Sequence, residues 1–367
     1  MFVLVSWRKV SQPSRTFMTF IESVFAKLQR HPKRIVFPEG EEPRVLHAAR
    51  KFYTNGLGVP ILLGKRDVIE KVAFAEKVDL DHIGIINPET SSDLPTFCER
   101  LEKLKRYRQI SASAAREIMI NRNYYAAMML QYGLVDGLVG GSTEYSGALL
   151  RPLIQLVKPL PHAKLISSCT IIQTDKKEFG DDGILIFADC GVVPEPNIEQ
   201  LASIAVQAGL IARQVFGQRP RVAMLSFSTK GSATTPATER IVAATALAKK
   251  IANDIGAVME IDGEMQADTA LVADLAKVKA PHSMVAGKAN VLIFPDLNSA
   301  NISAKLVHHL AGAHVYGQLL LGLSRPAAEL SRGTHMEDIT SVAAIVGLQA
   351  IEYRKLYPVD ENSPDAN

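Results

Sequence analysis

Short β-rich runs alternate with stretches of helical apolar spacing over nearly the whole chain, and this rhythm limits the possible folds more than any other feature. In the first half, Arg34 to Pro38, Val59 to Leu63, Ile83 to Ile86 and Leu134 to Val139 read as strands. Helical spacing fills the intervals, over Pro43 to Phe52, Val68 to Phe74, Leu94 to Tyr107 and Ala114 to Tyr132. The second half repeats the pattern, with strands at Lys164 to Ile172, Ile184 to Asp189, Arg221 to Phe227, Val258 to Ile261 and Val291 to Phe294. Ile198, Leu201, Ile204, Ala208, Ile211 and Val215 mark one face of a helix that stops at Gly217. Further helices are expected over Glu239 to Ile255, Thr269 to Val278, Ile302 to Leu310 and Met336 to Leu356. Strands separated by helices of this length imply an α/β architecture with a mostly parallel sheet covered on both faces. Ligands of such sheets sit beyond the carboxyl ends of the strands, so chemistry is sought in the loops that follow them.

The chain has 367 residues, which favours two domains over one. Its 41 basic and 38 acidic side chains nearly balance, and the absence of like-charge blocks speaks against a nucleic-acid partner. No apolar run reaches the ~20 residues that cross a bilayer, so a cytoplasmic protein is expected. Met1 to Phe17 carries Arg8, Lys9 and Arg15 and no acid. It reads as a disordered extension or an over-long gene start, with a transit peptide as the alternative. Pro358 to Asn367 is polar and expected to fray. Cys98, Cys169 and Cys190 fit neither a disulfide framework nor a zinc pattern, and read as reduced thiols.

Fingerprints for dinucleotides, for the P-loop and for helical zinc sites are all missing. Four polar loops remain, each after a β-rich run. Gly137 to Thr143 pairs glycines with Ser142 and Thr143, whose hydroxyls can donate to phosphate or carbonyl oxygens, and Arg151 follows. Ser226 to Ser232 places small hydroxyl residues, Lys230 and Gly231 at a strand end, a composition suited to oxyanions or to an ordinary polar turn. Asp296 to Asn301 leads into a helix that Asn298 or Ser299 is expected to cap. In Ser331 to Asp338, Thr334 and Glu337 have capping-box spacing. Asp338 then lies in the first turn of the last helix, where the dipole favours its ionised form. Bland capping leaves Ser331 and Arg332 unexplained.

The segments FPEGEEPRVLHAA, GLVDGLVGGS, LLRPLIQLV, MLSFSTKGSA, DGEMQADTAL, VLIFPDLNSAN and ELSRGTHMEDI occur in this order between about Lys33 and Tyr357. In that order they resemble the phosphate acetyltransferase and phosphate butyryltransferase family, and most of all its acetyltransferases. The resemblance implies two α/β domains with mostly parallel sheets and an interdomain cleft, like the isocitrate and isopropylmalate dehydrogenases. Residues 18–160 with 325–367 would form the first domain and 161–324 the second. It implies reversible transfer of an acetyl group between coenzyme A and inorganic phosphate, usually by a homodimer. No metal and no permanently bound cofactor is expected; coenzyme A is a substrate beside acyl phosphate and phosphate.

By the same resemblance Asp338 is the base that takes the thiol proton, needed because a free thiol has a pKa of ~8.5. Ser331 would hydrogen-bond the reacting group, and Arg332 would hold the phosphoryl oxygens and polarise the carbonyl. The thiolate would attack acetyl phosphate directly in a ternary complex, with no acyl-enzyme. Arg151 is carried over as a substrate contact, and from the polar loops Ser142, Thr143, Ser228, Thr229, Lys230, Gly231, Ser232 and Asn298 are read as further substrate contacts. Two positions depart from the family: Lys105, with Arg106 beside it, and His309 stand where acetyltransferases usually carry arginine. Lysine lacks the bidentate fork, and a neutral histidine lacks the charge. Alternatives are an acyltransferase for longer chains such as butyryl, or a non-catalytic acetyl-CoA-sensing domain like that of malic enzymes. An isocitrate-type dehydrogenase would need a divalent metal, for which only Asp262, Asp268 and Asp296 offer ligands.

Overall fold

The computed structural model describes residues 19–161, 163–217 and 219–356; the side chains of Lys105 and of residues 352–356 lie outside that description. The expectations for Met1 to Phe17 and for Pro358 to Asn367 fall outside it too. Among the described residues there are eleven strands: β1 (Lys33–Phe37), β2 (Gly58–Leu63), β3 (Gly84–Ile86), β4 (Gly137–Gly140), β5 (Ser167–Gln173), β6 (Ile184–Ala188), β7 (Arg221–Leu225), β8 (Glu260–Met265), β9 (Val291–Ile293), β10 (His314–Leu321) and β11 (Ala327–Glu329). They form one continuous, mostly parallel sheet in the order β3-β2-β1-β4-β11-β10-β5-β6-β9-β7-β8.

The helices of the first half are α1 (Phe20–Gln29), α2 (Pro43–Thr54), α3 (Arg66–Glu76), α4 (Leu94–Lys103), α5 (Ala112–Met119), α6 (Arg122–Gln131) and α7 (Ser146–Leu156). Those of the second half are α8 (Ile198–Phe216), α9 (Pro236–Asp254), α10 (Ala267–Leu271), α11 (Ala273–Lys279), α12 (Leu297–Ala311) and α13 (Met336–Leu356). The stretch read as one helix over Leu94 to Tyr107 ends at Lys103 and resumes as a 3-10 turn at Lys105–Tyr107. Thr269 to Val278 is likewise split, because Val272 adopts an extended conformation between α10 and α11.

The three antiparallel pairings all involve β5 or β10 in the middle of the sheet. Their consequence is directional. β1 to β4 and β11 run one way, while β6 to β9 run the other. Loops after β4 and β11 therefore leave from one edge of the sheet, and loops after β7 and β9 from the opposite edge. The sequence reading missed β10 and β11. β10 follows a helix, and β11, which follows β10 directly, is only three residues long, too short to show a period.

Helix α13 ties the two ends of the chain together. Ile339, Val342, Ala343, Ala344, Ile345, Val346 and Leu348 are all buried, so it is apolar around most of its circumference and lies within a core, not on its surface. It packs against α2, β4 and α1 in the larger hydrophobic cluster. At Gly347 an added Cβ would meet the Leu28 side chain at 2.9 Å, so glycine lets α1 approach closely. A second cluster, under α4 to α7, covers the other face of the first half. No helix among the described residues is long and apolar enough to cross a membrane. The three cysteines are free, and burial pushes the Cys190 thiol up to about 12, an inert state for a nucleophile.

Candidate active site

Two neighbouring parallel strands, β4 and β11, build the centre of the site because each ends in a polar loop at the same edge. The loop after β4 is organised by one carboxylate. Glu39, at the end of β1, is 9% exposed and accepts from the Gly141 and Ser142 amides at 3.0 and 2.8 Å. It also accepts from the Ser142 hydroxyl at 2.7 Å and from the Thr143 amide and hydroxyl, both at 2.7 Å. The Ser142 and Thr143 hydrogens expected to meet a phosphate are thus directed inward to a protein anion. Only their lone pairs remain for other partners. The nest is an anion site already filled by the chain itself.

The loop after β11 carries Ser331 and Arg332, both exposed, and leads into α13. Its backbone is held by Arg44, which sequence reasoning did not single out. Arg44 Nη1 donates to the Arg332 and Thr334 carbonyls at 2.8 and 3.0 Å, and Nη2 donates to the Ser142 carbonyl at 3.1 Å. One planar fork therefore fixes the two polar loops to each other. Within the loop, the Thr334 amide donates to the Ser331 carbonyl at 3.0 Å, and the Gly333 amide to Ser331 Oγ at 3.2 Å. The Arg332 guanidinium has no hydrogen-bonding partner among the described residues, so it is free to meet an anion. Helix α13 begins at Met336, so Thr334 stands one residue ahead of the cap position assigned to it.

Asp338 lies in the first turn of α13 and is partly buried. Burial pushes its carboxyl above the usual carboxylate range, with Glu337 acting the same way, while His335, His314 and His308 oppose the shift. The helix dipole acts in the opposite direction, toward the ionised form, and loss of water around the side chain outweighs it. Asp338 in turn helps burial raise the Tyr316 phenol to about 12. His308, near the C-terminal end of α12, has its Nδ1 2.9 Å from the Ala313 carbonyl. His309 packs against it, with ring centroids 4.5 Å apart, and is exposed.

Arg151 projects from α7, the helix that starts directly after the Gly141–Thr143 nest, and is exposed. Arg106 lies in the 3-10 turn ahead of α5. The Tyr107 phenol connects the two, since burial and Tyr124 raise it to about 12 while Arg106 and Arg151 both pull it down. Arg106 is the chain neighbour of Tyr107, and Arg151 lies one turn before Gln155, the residue that Tyr107 hydrogen-bonds. The Lys105 side chain is outside the described residues.

The remaining candidates lie elsewhere. Ser228 donates to Glu264 at 2.9 Å and the Gly231 amide donates to the same oxygen at 2.7 Å. The Ser232 hydroxyl accepts from the Thr229 amide at 3.0 Å, and Thr229 Oγ1 accepts from the Gln266 amide at 3.0 Å. Lys230 is paired with Asp262 at 2.6 Å. This loop follows β7 and leaves from the edge opposite Ser331, sharing no hydrogen bond or ion pair with it among the described residues. Glu264 fills its nest as Glu39 fills the other. Asn298 is exposed near the start of α12, and the cap there is Asp296, which accepts from the Ser299 amide at 2.8 Å, not Asn298 or Ser299. Asp262, Asp268 and Asp296 have separate partners: Lys230 with Lys249, Lys279, and the α12 amide. No group of three metal-ligating side chains forms among the described residues. Glu39, Arg44 and Glu264 were visible as charges beside glycines and strand ends, a pattern that marks a nest only once strand order is known.

Comparison with known proteins gives a consistent answer. The family model described as "Phosphate acetyl/butaryl transferase" matches residues 19–347. A phosphate acetyltransferase of Thermoanaerobacterium thermosaccharolyticum is 43% identical over 333 residues, 91% of this chain and 100% of that protein. One from Acetivibrio thermocellus is 40% identical over 91% of this chain and 98% of its own length. Among solved structures, a phosphotransacetylase from Streptococcus pyogenes superposes with a TM-score of 0.83 at 34% identity, covering 91% of this chain and 100% of its own. A branched-chain phosphotransacylase from Enterococcus faecalis, 15% identical with a TM-score of 0.61, shares the fold.

Proposed function

Because the chain belongs to the phosphate acetyl/butyryl transferase family, we propose that it moves an acetyl group reversibly between coenzyme A and inorganic phosphate. What supports the assignment to particular residues is that the loops after β4 and β11 leave from one sheet edge and are tied together by Arg44. An unpaired guanidinium, a hydroxyl and a carboxyl of raised pKa lie within residues 331–338, held to the neighbouring loop by Arg44. In the forward direction Asp338 accepts the proton of the coenzyme A thiol, and the thiolate attacks the carbonyl carbon of acetyl phosphate. The C–O bond to phosphate breaks, and phosphate departs with the electron pair. A base whose pKa is lifted toward that of the thiol takes the proton at less disadvantage than an ordinary carboxylate would. Arg332 holds the phosphoryl oxygens and stabilises the charge that develops on them, and Ser331 hydrogen-bonds the carbonyl or sulfur. Arg151 and Arg106 supply further positive charge for phosphoryl groups.

Acetyl rather than butyryl is favoured by the relatives, which are phosphate acetyltransferases at 40 to 43% identity. The exposed apolar side chains Ile302, Leu306 and Leu310 recur every four residues along α12, a stripe that supports self-association as a homodimer. A cytoplasmic site of action, no resident cofactor and a division near residues 160 and 325 complete the reading. Thioester formation from acetyl, propionyl and butyryl phosphate with coenzyme A, followed by ultraviolet absorbance, tests it. The acetyl substrate should give the highest kcat/KM; no thioester from any of the three would refute the assignment.

A further inference from the structure

Gln155 lies one helical turn beyond Arg151 on α7, so the two share a face of the helix. Its Oε1 accepts from two phenols at once, Tyr124 at 2.8 Å and Tyr107. An amide oxygen has two lone pairs, and both are occupied here. Tyr107 belongs to the turn that carries Arg106, and Tyr124 belongs to α6. Three segments that the chain separates by up to 48 positions therefore meet at one oxygen atom. The rings of Tyr107 and Tyr124 are partly buried and pack against the apolar cluster under α4 to α7. Arg106 and Arg151, in contrast, are exposed and have no carboxylate partner among the described residues. Arg106 adjoins Tyr107 in its turn and Arg151 precedes Gln155 by one turn of α7, so the hydrogen bond between Tyr107 and Gln155 joins the two segments that carry these free cations, and a phosphoryl group has oxygens enough to engage both.

We propose that Gln155 is a positioning residue for phosphoryl binding: its carbonyl oxygen clamps the Lys105–Tyr107 turn to helix α7 and so sets the spacing of Arg106 and Arg151. This rests on the acyltransferase reading, which makes those two arginines substrate contacts. The two N–H donors of the amide have no acceptor among the described residues and are available to the same anion. The phosphoryl group is that of acyl phosphate or one of those on coenzyme A, and the kinetics separate these sources.

The test uses the full chain with Gln155→Leu, Tyr107→Phe and the double substitution. Steady-state KM for acetyl phosphate and for coenzyme A is measured with kcat, and inorganic-phosphate binding is measured by calorimetry. Removing the clamp should raise one KM roughly five- to tenfold, the scale of one or two lost hydrogen bonds. The kcat should stay within about twofold. A rise in KM for acetyl phosphate, with weaker phosphate binding, assigns the arm to acyl phosphate; a rise for coenzyme A alone assigns it to the nucleotide phosphates. The double variant should be no worse than Gln155→Leu, because both changes open the same clamp. Unchanged KM values in folded variants, or a fall in kcat alone, overturns the proposal. Tyr107→Phe deletes only a hydroxyl and keeps the question answerable if Gln155→Leu fails to fold. Loss of phosphate binding in the variants, with no thioester from the wild type, would sink the acyltransferase reading and leave the clamp standing.

Discussion

Replacing Glu39 with glutamine tests whether a single buried carboxylate organises the edge of the sheet where the chemistry is placed. The carboxylate receives five hydrogen bonds, three at Oε2 from Gly141 and Ser142 and two at Oε1 from Thr143. Glutamine keeps one acceptor oxygen and puts an NH2 group where the other stood. The better of its two orientations leaves the oxygen toward Gly141 and Ser142 and turns the NH2 group toward Thr143. The Thr143 hydroxyl can rotate to accept from it, but the Thr143 amide cannot and faces a donor. One orphaned amide costs about 1–3 kcal/mol, and the three surviving bonds lose their charge assistance. Together these give a destabilisation of about 3–4 kcal/mol, measurable by urea denaturation. The loop whose Ser142 carbonyl receives Arg44 would loosen with it, so the KM for acetyl phosphate should rise as well. A loss under about 1 kcal/mol with unchanged kinetics would show that the nest is held by its backbone and not by Glu39.

Four other outcomes follow from the same geometry. Asp338→Asn should abolish most turnover without unfolding the protein, as thioester assays and circular dichroism would show. Because the folded-state pKa of Asp338 is raised, the group adds stability below its unfolded pKa and loses that contribution as pH rises through the folded value; at neutral pH the asparagine variant should therefore be at least as stable as wild type in denaturant. As catalysis needs the ionised form, kcat/KM should fall with acidification through a pKa above the ordinary carboxylate range, and a profile flat down to the usual aspartate value would remove Asp338 as the base. Arg332→Gln should raise the KM for acetyl phosphate and lower kcat, and kinetics that do not move would place the clamp elsewhere.

The alternation of strand and helix, the stop of α8 at Gly217 and the start of the last helix near Met336 were legible because each has a local cause: period, a left-handed cap, a long apolar run behind a polar loop. The nests were not. Ser142 and Ser228 look like free donors in sequence, yet each hydrogen is taken by a glutamate in or just after another strand, 103 and 36 positions away. Such pairings are decided by strand order, which no local pattern encodes. The reversal of strand direction across β10, β5 and β6 has the same origin and separates the Ser228 loop from Ser331. Asp338 shows the limit of propensity reasoning: its place in the first turn was legible, but its burial, which sets the sign of its pKa shift, was not.

The most direct test mixes the purified chain with acetyl phosphate and coenzyme A and follows the thioester and free phosphate together. Wild type should form both in equal amounts, and Asp338→Asn should form almost none while still binding coenzyme A. Equal rates from the two proteins, or phosphate released without thioester, would contradict direct attack by a thiolate that Asp338 generates.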